Sequence, residues 1–163
     1  MRLKNGKNPG SSAGTINGLS IRNVNLYQVI GYDGEKKTKG RRRHIIVDTL
    51  GLILAILVHS ATTHDSKSAE PVFKELKNKY LYGIIKIFAD GGYRGELIET
   101  VRLKFGWIIL EVVKRNEIGK FKILLKTWII ECTFKCISFQ RTTFKDYEWL
   151  TEASVAFVQL LKI

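Results

Sequence analysis

Sulfur cross-links can contribute little to this chain. It has only two cysteines, Cys132 and Cys136, four residues apart in an apolar stretch that reads as helical. A disulfide inside one helical turn is geometrically poor, and no second Cys/His pair completes a zinc site. Both read as core or helix-surface thiols of a reducing cytoplasm. Long apolar runs are lacking too. No stretch reaches the 18 residues of a membrane span, and residues 50–58 read better as a buried strand. The basic N-terminus is followed by no apolar signal core, which argues against secretion. No internal repeat is present.

Acid is the scarcest chemistry. Fifteen Asp and Glu face 27 Lys and Arg, a net charge of +12 over 163 residues. That excess favours a polyanionic partner, nucleic acid above all. The plainer alternative is a basic protein from a lysine-rich proteome. The length suits one domain with a full hydrophobic core, and 45% apolar with 26% charged residues is an ordinary globular mixture.

Residues 1–13, rich in Gly, Ser, Lys and Asn, read as a flexible basic tail before a single domain over 14–163. Residues 15–22 suggest a short strand weakened by Gly18. Lys36, Lys37, Lys39, Arg41, Arg42 and Arg43 then place six cations in eight residues. They run into the apolar Ile45-Ile46-Val47, an Asp48-Thr49-Leu50-Gly51 turn and a second apolar run over 52–59, together a β-hairpin. Ala69, Val72, Phe73, Leu76 and Tyr80 recur at helical spacing, with Asp65 or Ser66 as cap and Pro71 in the first turn. A buried strand over 84–89 ends at Asp90-Gly91-Gly92-Tyr93. A helix through Leu97, Ile98, Val101, Leu103 and Phe105, a strand over 107–113, a helix within 120–138 and a last helix over 152–161 follow. The order β, β, β, α, β, α, β, α, α predicts an α/β fold: an RNase H-like mixed sheet, three antiparallel strands followed by parallel ones, flanked by helices.

Four ordered blocks carry a resemblance. Gly31-Tyr32-Asp33-Gly34-Glu35-Lys36-Lys37-Thr38-Lys39-Gly40-Arg41-Arg42-Arg43-His44 with Ile45-Ile46-Val47-Asp48-Thr49-Leu50-Gly51 is one. Phe88-Ala89-Asp90-Gly91-Gly92-Tyr93-Arg94-Gly95, Trp128-Ile129-Ile130-Glu131-Cys132-Thr133-Phe134 and Lys145-Asp146-Tyr147-Glu148 are the others. In this order and spacing they resemble the catalytic domain of bacterial insertion-sequence transposases of the DDE type, over about residues 15–163.

The resemblance implies an RNase H-like domain that cuts and joins transposon-end DNA. Two Asp and one Glu would hold two Mg²⁺ or Mn²⁺ ions. Asp90 would be the second carboxylate and Glu131 the third. Two hard cations can stabilise the attacking and leaving oxygens of a phosphodiester, and magnesium prefers oxygen ligands. Asp90 ends a strand where active sites commonly gather, and a carboxylate in an apolar run such as 128–132 is costly unless paired or metal-bound. Without the neighbouring blocks, Asp-Gly-Gly is an ordinary turn and a helical Glu an ordinary solvent-facing residue.

The first family Asp falls on Asn17 in Thr15-Ile16-Asn17-Gly18-Leu19. Asn keeps the shape and loses the charge, so this position is expected to be non-functional and catalysis severely impaired. The alternative function is a catalytically dead DNA-binding remnant. Asp33 and Asp48 read as turn residues and Asp65 as a helix cap, so none is expected to replace the missing carboxylate. Thr127 and Cys132 stand where the family usually has Arg, which removes phosphate contacts. The chain starts almost at the core, so the family's N-terminal part is expected to be gone or encoded as a separate fragment. A homo-oligomer is a further partner to expect, in a cytoplasmic, nucleoid-associated setting.

The six clustered cations read either as a solvated loop or as a phosphate-contacting segment. Neutralising about six phosphates would weaken DNA binding roughly a thousandfold between 50 and 200 mM salt. Tyr32, Tyr93 and Trp128 would either stack on unpaired bases or belong to the core.

Overall fold

The computed structural model describes residues 2–24, 29–79, 83–93, 95–113 and 125–161. Tyr80, Arg94 and the 120–124 start of the third expected helix lie outside them. The strands are β1 (Ala13–Arg22), β2 (Gly31–Asp33), β3 (Thr38–Asp48), β4 (Ile53–Ser60), β5 (Lys86–Ala89) and β6 (Ile109–Val112). The helices are α1 (Asp65–Lys79), α2 (Glu96–Lys104), α3 (Leu125–Phe139) and α4 (Thr151–Leu160). Among the described residues no helix is long and apolar enough to cross a membrane.

The expected RNase H-like sheet is present. β3 pairs antiparallel with β1 along one edge and with β4 along the other, and β1 and β5, then β5 and β6, pair in parallel. The short β2 continues β4's edge of β3. Periodicity could not reveal β2, because three residues hold no repeat.

Side chains alternate between the two faces of a strand, and both faces of this sheet are covered. Ile16, Ile46, Ile87 and Ala89 join Ala69, Val72, Phe73, Leu76, Leu97 and Val101 in a core beneath α1 and α2. Ile45, Val47 and Ile56 join Ile130, Phe134, Ile137 and Val158 beneath α3 and α4. The predicted stripe of α1 is thus buried as far as it is described. Pro71 sits in the second turn of α1, not the first, where it cannot donate to the Lys67 carbonyl. Leu103, counted in the α2 pattern, faces solvent.

The main correction concerns the basic run. Arg41, Arg42 and Arg43 belong to no surface segment. They lie inside β3 and are 0%, 8% and 2% exposed. Arg41 and Arg43 share the face of Ile45 and Val47, whereas Arg42 shares that of His44 and Ile46. Arg41 donates to Asp146 (3.1 Å) and to the carbonyls of Glu148 (3.0 Å), Trp149 (2.7 Å) and Val29 (3.3 Å). Arg43 donates to the Thr143 carbonyl at 2.7 Å. Burial pulls the Arg43 guanidinium down to about 10 against the pull of Asp146, so it stays charged at neutral pH. These arginines clamp the α3–α4 connection onto the sheet. Lys36, Lys37 and Lys39 remain exposed.

The N-terminal residues, expected as a tail, contain a 3₁₀ turn (Leu3–Asn5), and Arg2 pairs with Asp48. As expected, Asp48 also closes its turn, accepting the amides of Leu50 (2.8 Å) and Leu52 (2.9 Å).

Removing one member of a buried ion pair strands the other charge and typically costs about 3–5 kcal/mol. Asp146→Ala should lose about that much in urea unfolding. A loss below about 1 kcal/mol would show that the pair behaves like an exposed one.

Candidate active site

The parallel register relates two of the expected positions. Ala13, Gly14 and Thr15 of β1 lie beside Lys86, Ile87 and Phe88 of β5. Carried two residues further, the same offset sets Asn17 level with Asp90, just beyond the end of β5. Asn17 lies on the face of Thr15 and Leu19, toward α3. Its Oδ1 accepts the Gly18 amide at 2.7 Å.

Asp90 opens a tight turn. Its Oδ1 accepts the Gly92 amide at 2.9 Å, and its carbonyl accepts the Tyr93 amide at 3.2 Å. A Cβ on Gly92 would stand 3.2 Å from Asp90 Oδ1 and 3.6 Å from Asp65 Oδ2. The two carboxylates therefore flank a glycine whose missing side chain keeps the space between them open.

Glu131 is exposed on α3. Ile129 and Thr133 of that helix lie over Gly51, and Thr133 donates to the Gly51 carbonyl at 3.2 Å. Glu131 is two residues from each, about 200° round the helix, so it faces away from the β3–β4 turn. Among the described residues no three His, Cys, Asp or Glu side chains gather closely enough to hold a metal ion. The donor set has the hardness magnesium prefers. Of the three expected positions, Asn17 offers only a neutral oxygen, which already accepts the Gly18 amide.

Behind Asp90 stands a polar cluster that the sequence did not reveal. Asp65 was expected as a helix cap, but its carboxylate turns to the sheet. Arg42 Nη2 donates to Asp65 Oδ2 at 2.7 Å, and Arg42 Nε lies 2.6 Å from Oδ1. Arg42 Nη1 also reaches Asp33 Oδ2 (2.7 Å) and Ser20 Oγ (2.8 Å). Gly18, which weakened the strand prediction, makes room for this cluster. A Cβ there would lie 2.7 Å from Arg42 Nε and 3.1 Å from His44 Cε1. Asp33 also accepts the amides of Glu35 and Lys36, both at 3.0 Å, as a turn residue should.

Burial raises the Asp65 carboxyl. The Arg42 charge and hydrogen bond oppose this, and the nearby Asp90 charge adds to it. Burial also works to raise Asp33, but hydrogen bonds from Ser20, Lys36 and Glu35 and the Arg42 charge outweigh it, leaving the carboxyl low. Tyr93, read as either a base-stacking or a core residue, belongs to the core: it is 0% exposed and bonded to His44. Burial holds its hydroxyl protonated well above the usual phenol range. Tyr32 and Trp128 are exposed. A short-range signal for the cluster did exist. The Arg-Arg-Arg-His run leads without a turn residue into Ile45-Ile46-Val47, so it had to be strand and its alternate residues had to face inward.

His44 is held well below 6.5 by burial, with His59 and Arg42 adding to the effect. Burial likewise lowers His59. The unfolded chain takes up these protons near pH 6.5 and the folded chain refuses them. Stability is therefore fully present above that pH and is lost as pH falls below it. Asp65 acts in the opposite sense, but nearer the carboxylate range. Urea midpoints should drop between pH 7.5 and 5.5, on the order of 1 kcal/mol per excluded imidazole. His44→Gln should flatten the drop, and an equally steep profile in that variant would refute the assignment.

No match was found among curated proteins. The family described as the transposase DDE domain matches residues 18–145, a span that contains Asp90 and Glu131 and begins one residue after Asn17. With most of its length inside that match and the expected sheet in place, the chain belongs to the transposase DDE domain family.

Proposed function

We propose that this chain is a DNA transposase domain of the insertion-sequence kind, with Asn17, Asp90 and Glu131 in the three acidic positions and strand cleavage impaired at the first. The observation that supports it best is the β1–β5 register, which carried two residues past its last pair sets Asn17 level with Asp90. An amide stands where a carboxylate beside Asp90 would complete a charged pair. Asp90 and Glu131 would hold Mg²⁺ or Mn²⁺, which would supply charge stabilisation for phosphodiester cleavage. Asn17 contributes shape without charge, which weakens cation binding.

DNA binding does not depend on that charge. Lys36, Lys37 and Lys39 surround the β2–β3 hairpin and are exposed, and Tyr32, 57% exposed, stands beside them. They form a phosphate-contacting edge that positions DNA without reading its sequence. The resulting activity is cytoplasmic binding of transposon ends with little or no turnover.

Cleavage of labelled transposon-end DNA in Mg²⁺ or Mn²⁺ tests the site. The unmodified chain should stay near background, and Asn17→Asp should raise cleavage at least about tenfold. Turnover by the unmodified chain that Asp90→Ala abolishes would overturn the impaired-enzyme reading. Failure of both forms to cleave, with DNA still bound, would favour a dead remnant.

With three lysines contacting phosphate, their joint contribution should fall roughly fortyfold between 50 and 200 mM salt. Replacing all three by alanine should lower the log–log salt slope by about 2.7. An unchanged slope would place the DNA path elsewhere.

A further inference from the structure

We propose that Tyr93, backed by His44 and His59, is a positioning residue that sets the direction of the Asp90 carboxylate. The inference rests on the reading of Asp90 as a metal-ligand position. The turn from Asp90 to Tyr93 contains two glycines and no side chain of its own to anchor it. Its first fixed point is the Tyr93 ring, wholly buried in the core beneath α1 and α2. The Tyr93 amide returns to the Asp90 carbonyl, and the Gly92 amide between them holds Asp90 Oδ1. Whatever fixes Tyr93 therefore fixes the carboxylate.

A single hydrogen-bonded chain fixes it. Tyr93 Oη meets His44 Nε2, with the rings edge to face at 5.6 Å and 85°. His44 Nδ1 lies 3.1 Å from His59 Nε2, with those rings stacked at 5.4 Å. His59 Nδ1 lies 2.8 Å from the Ser60 carbonyl. A carbonyl only accepts, so His59 Nδ1 carries the proton. In a neutral ring, His59 Nε2 must then accept, so His44 Nδ1 donates to it. His44 Nε2 is left as an acceptor and takes the Tyr93 hydroxyl proton. Every proton in the chain has one place. The chain ends on a backbone carbonyl, so it can orient groups but cannot pass a proton onward. It ties the loop after β5 to β3 and β4, across the intervening β1.

Tyr93→Phe keeps the ring and removes the bond. Two readouts separate positioning from packing. Backbone amide exchange at Gly92 and Tyr93 reports the turn without any metal. It should accelerate at least tenfold, while Ile45 and Ile46 in the middle of β3 stay unchanged. Mn²⁺ affinity, followed by electron paramagnetic resonance on the whole chain, should weaken by about tenfold, as is usual when a residue supporting a ligand is lost.

Val101→Ala removes packing from the same core and contributes no polar atom to the hydrogen-bonded chain, so it should leave Mn²⁺ affinity unchanged. If it weakens Mn²⁺ as much as Tyr93→Phe does, Tyr93 acts through stability alone and the proposal fails. It fails too if Tyr93→Phe leaves Gly92 exchange unaltered. Should Tyr93→Phe not fold, His59→Ala at the half-buried end frees the His44 tautomer and must shift both readouts the same way. An unmodified chain that binds no Mn²⁺, or binds it equally well after Asp90→Ala, removes the metal-ligand reading. The exchange measurement still decides whether Tyr93 holds the turn.

Discussion

The interior charge of β3 is the constraint on which the rest of this structure depends. A strand covered on both faces carries three consecutive arginines, and each needs a partner because an unpaired buried guanidinium is far too costly. Alternation sends Arg41 and Arg43 to one side of the sheet and Arg42 to the other. On the first side, Arg41 takes Asp146, 105 residues away, and Arg43 takes a carbonyl at Thr143. The segment between α3 and α4 must therefore close over the sheet. On the second side, Arg42 draws Asp33 and Asp65 together, which sets the start of α1 against β3. A strand of leucines in the same place would bury more apolar surface but would fix neither connection.

The same alternation builds the site from behind. Arg42 and His44 are two residues apart on β3, so they stand side by side on the face beneath α1, with Gly18 leaving the space across β1. One orders Asp65 and the other orders Tyr93. Asp90 lies near both, at the end of the short β5. Its own strand has only four residues, too few to hold a loop rigidly, so the stiffness comes from β3 and β4 by way of side chains. The carboxylate belongs to one strand and its support to two others.

Much of this was legible in the sequence, for identifiable reasons. The α1 stripe, the β3–β4 hairpin and the later α/β alternation follow from hydrophobic period, and local pattern is enough to read that. Membership of the family follows from the ordered blocks. Burial of Arg41, Arg42 and Arg43 was missed because charge normally marks a surface, and the local strand signal does not name the acids that neutralise them. Those acids are distant in the chain, and a single sequence gives no pairing between residues 41 and 146. Asp65 was misread for the same reason. A helix start offers a local use for an Asp, and the competing use lies 23 residues upstream. Gly18 counted against β1 because a missing side chain was weighed as lost packing, when it is space for Arg42.

Moving the arginines inward does not weaken the argument for a polyanionic partner. Arg2, Arg41, Arg42 and Arg43 are held inside with Asp33, Asp48, Asp65 and Asp146. Four cations leave the count and four anions leave with them, so the net charge of +12 is carried entirely by what remains. The internal pairs take four of the fifteen acids, so the surface keeps far fewer acids than bases. Scarcity of acid thus has two consequences. It leaves the whole positive excess at the surface, where it draws nucleic acid at a rate set by salt. It also leaves few carboxylates that could stand in, on the proposed reading, for the one replaced by an amide at position 17.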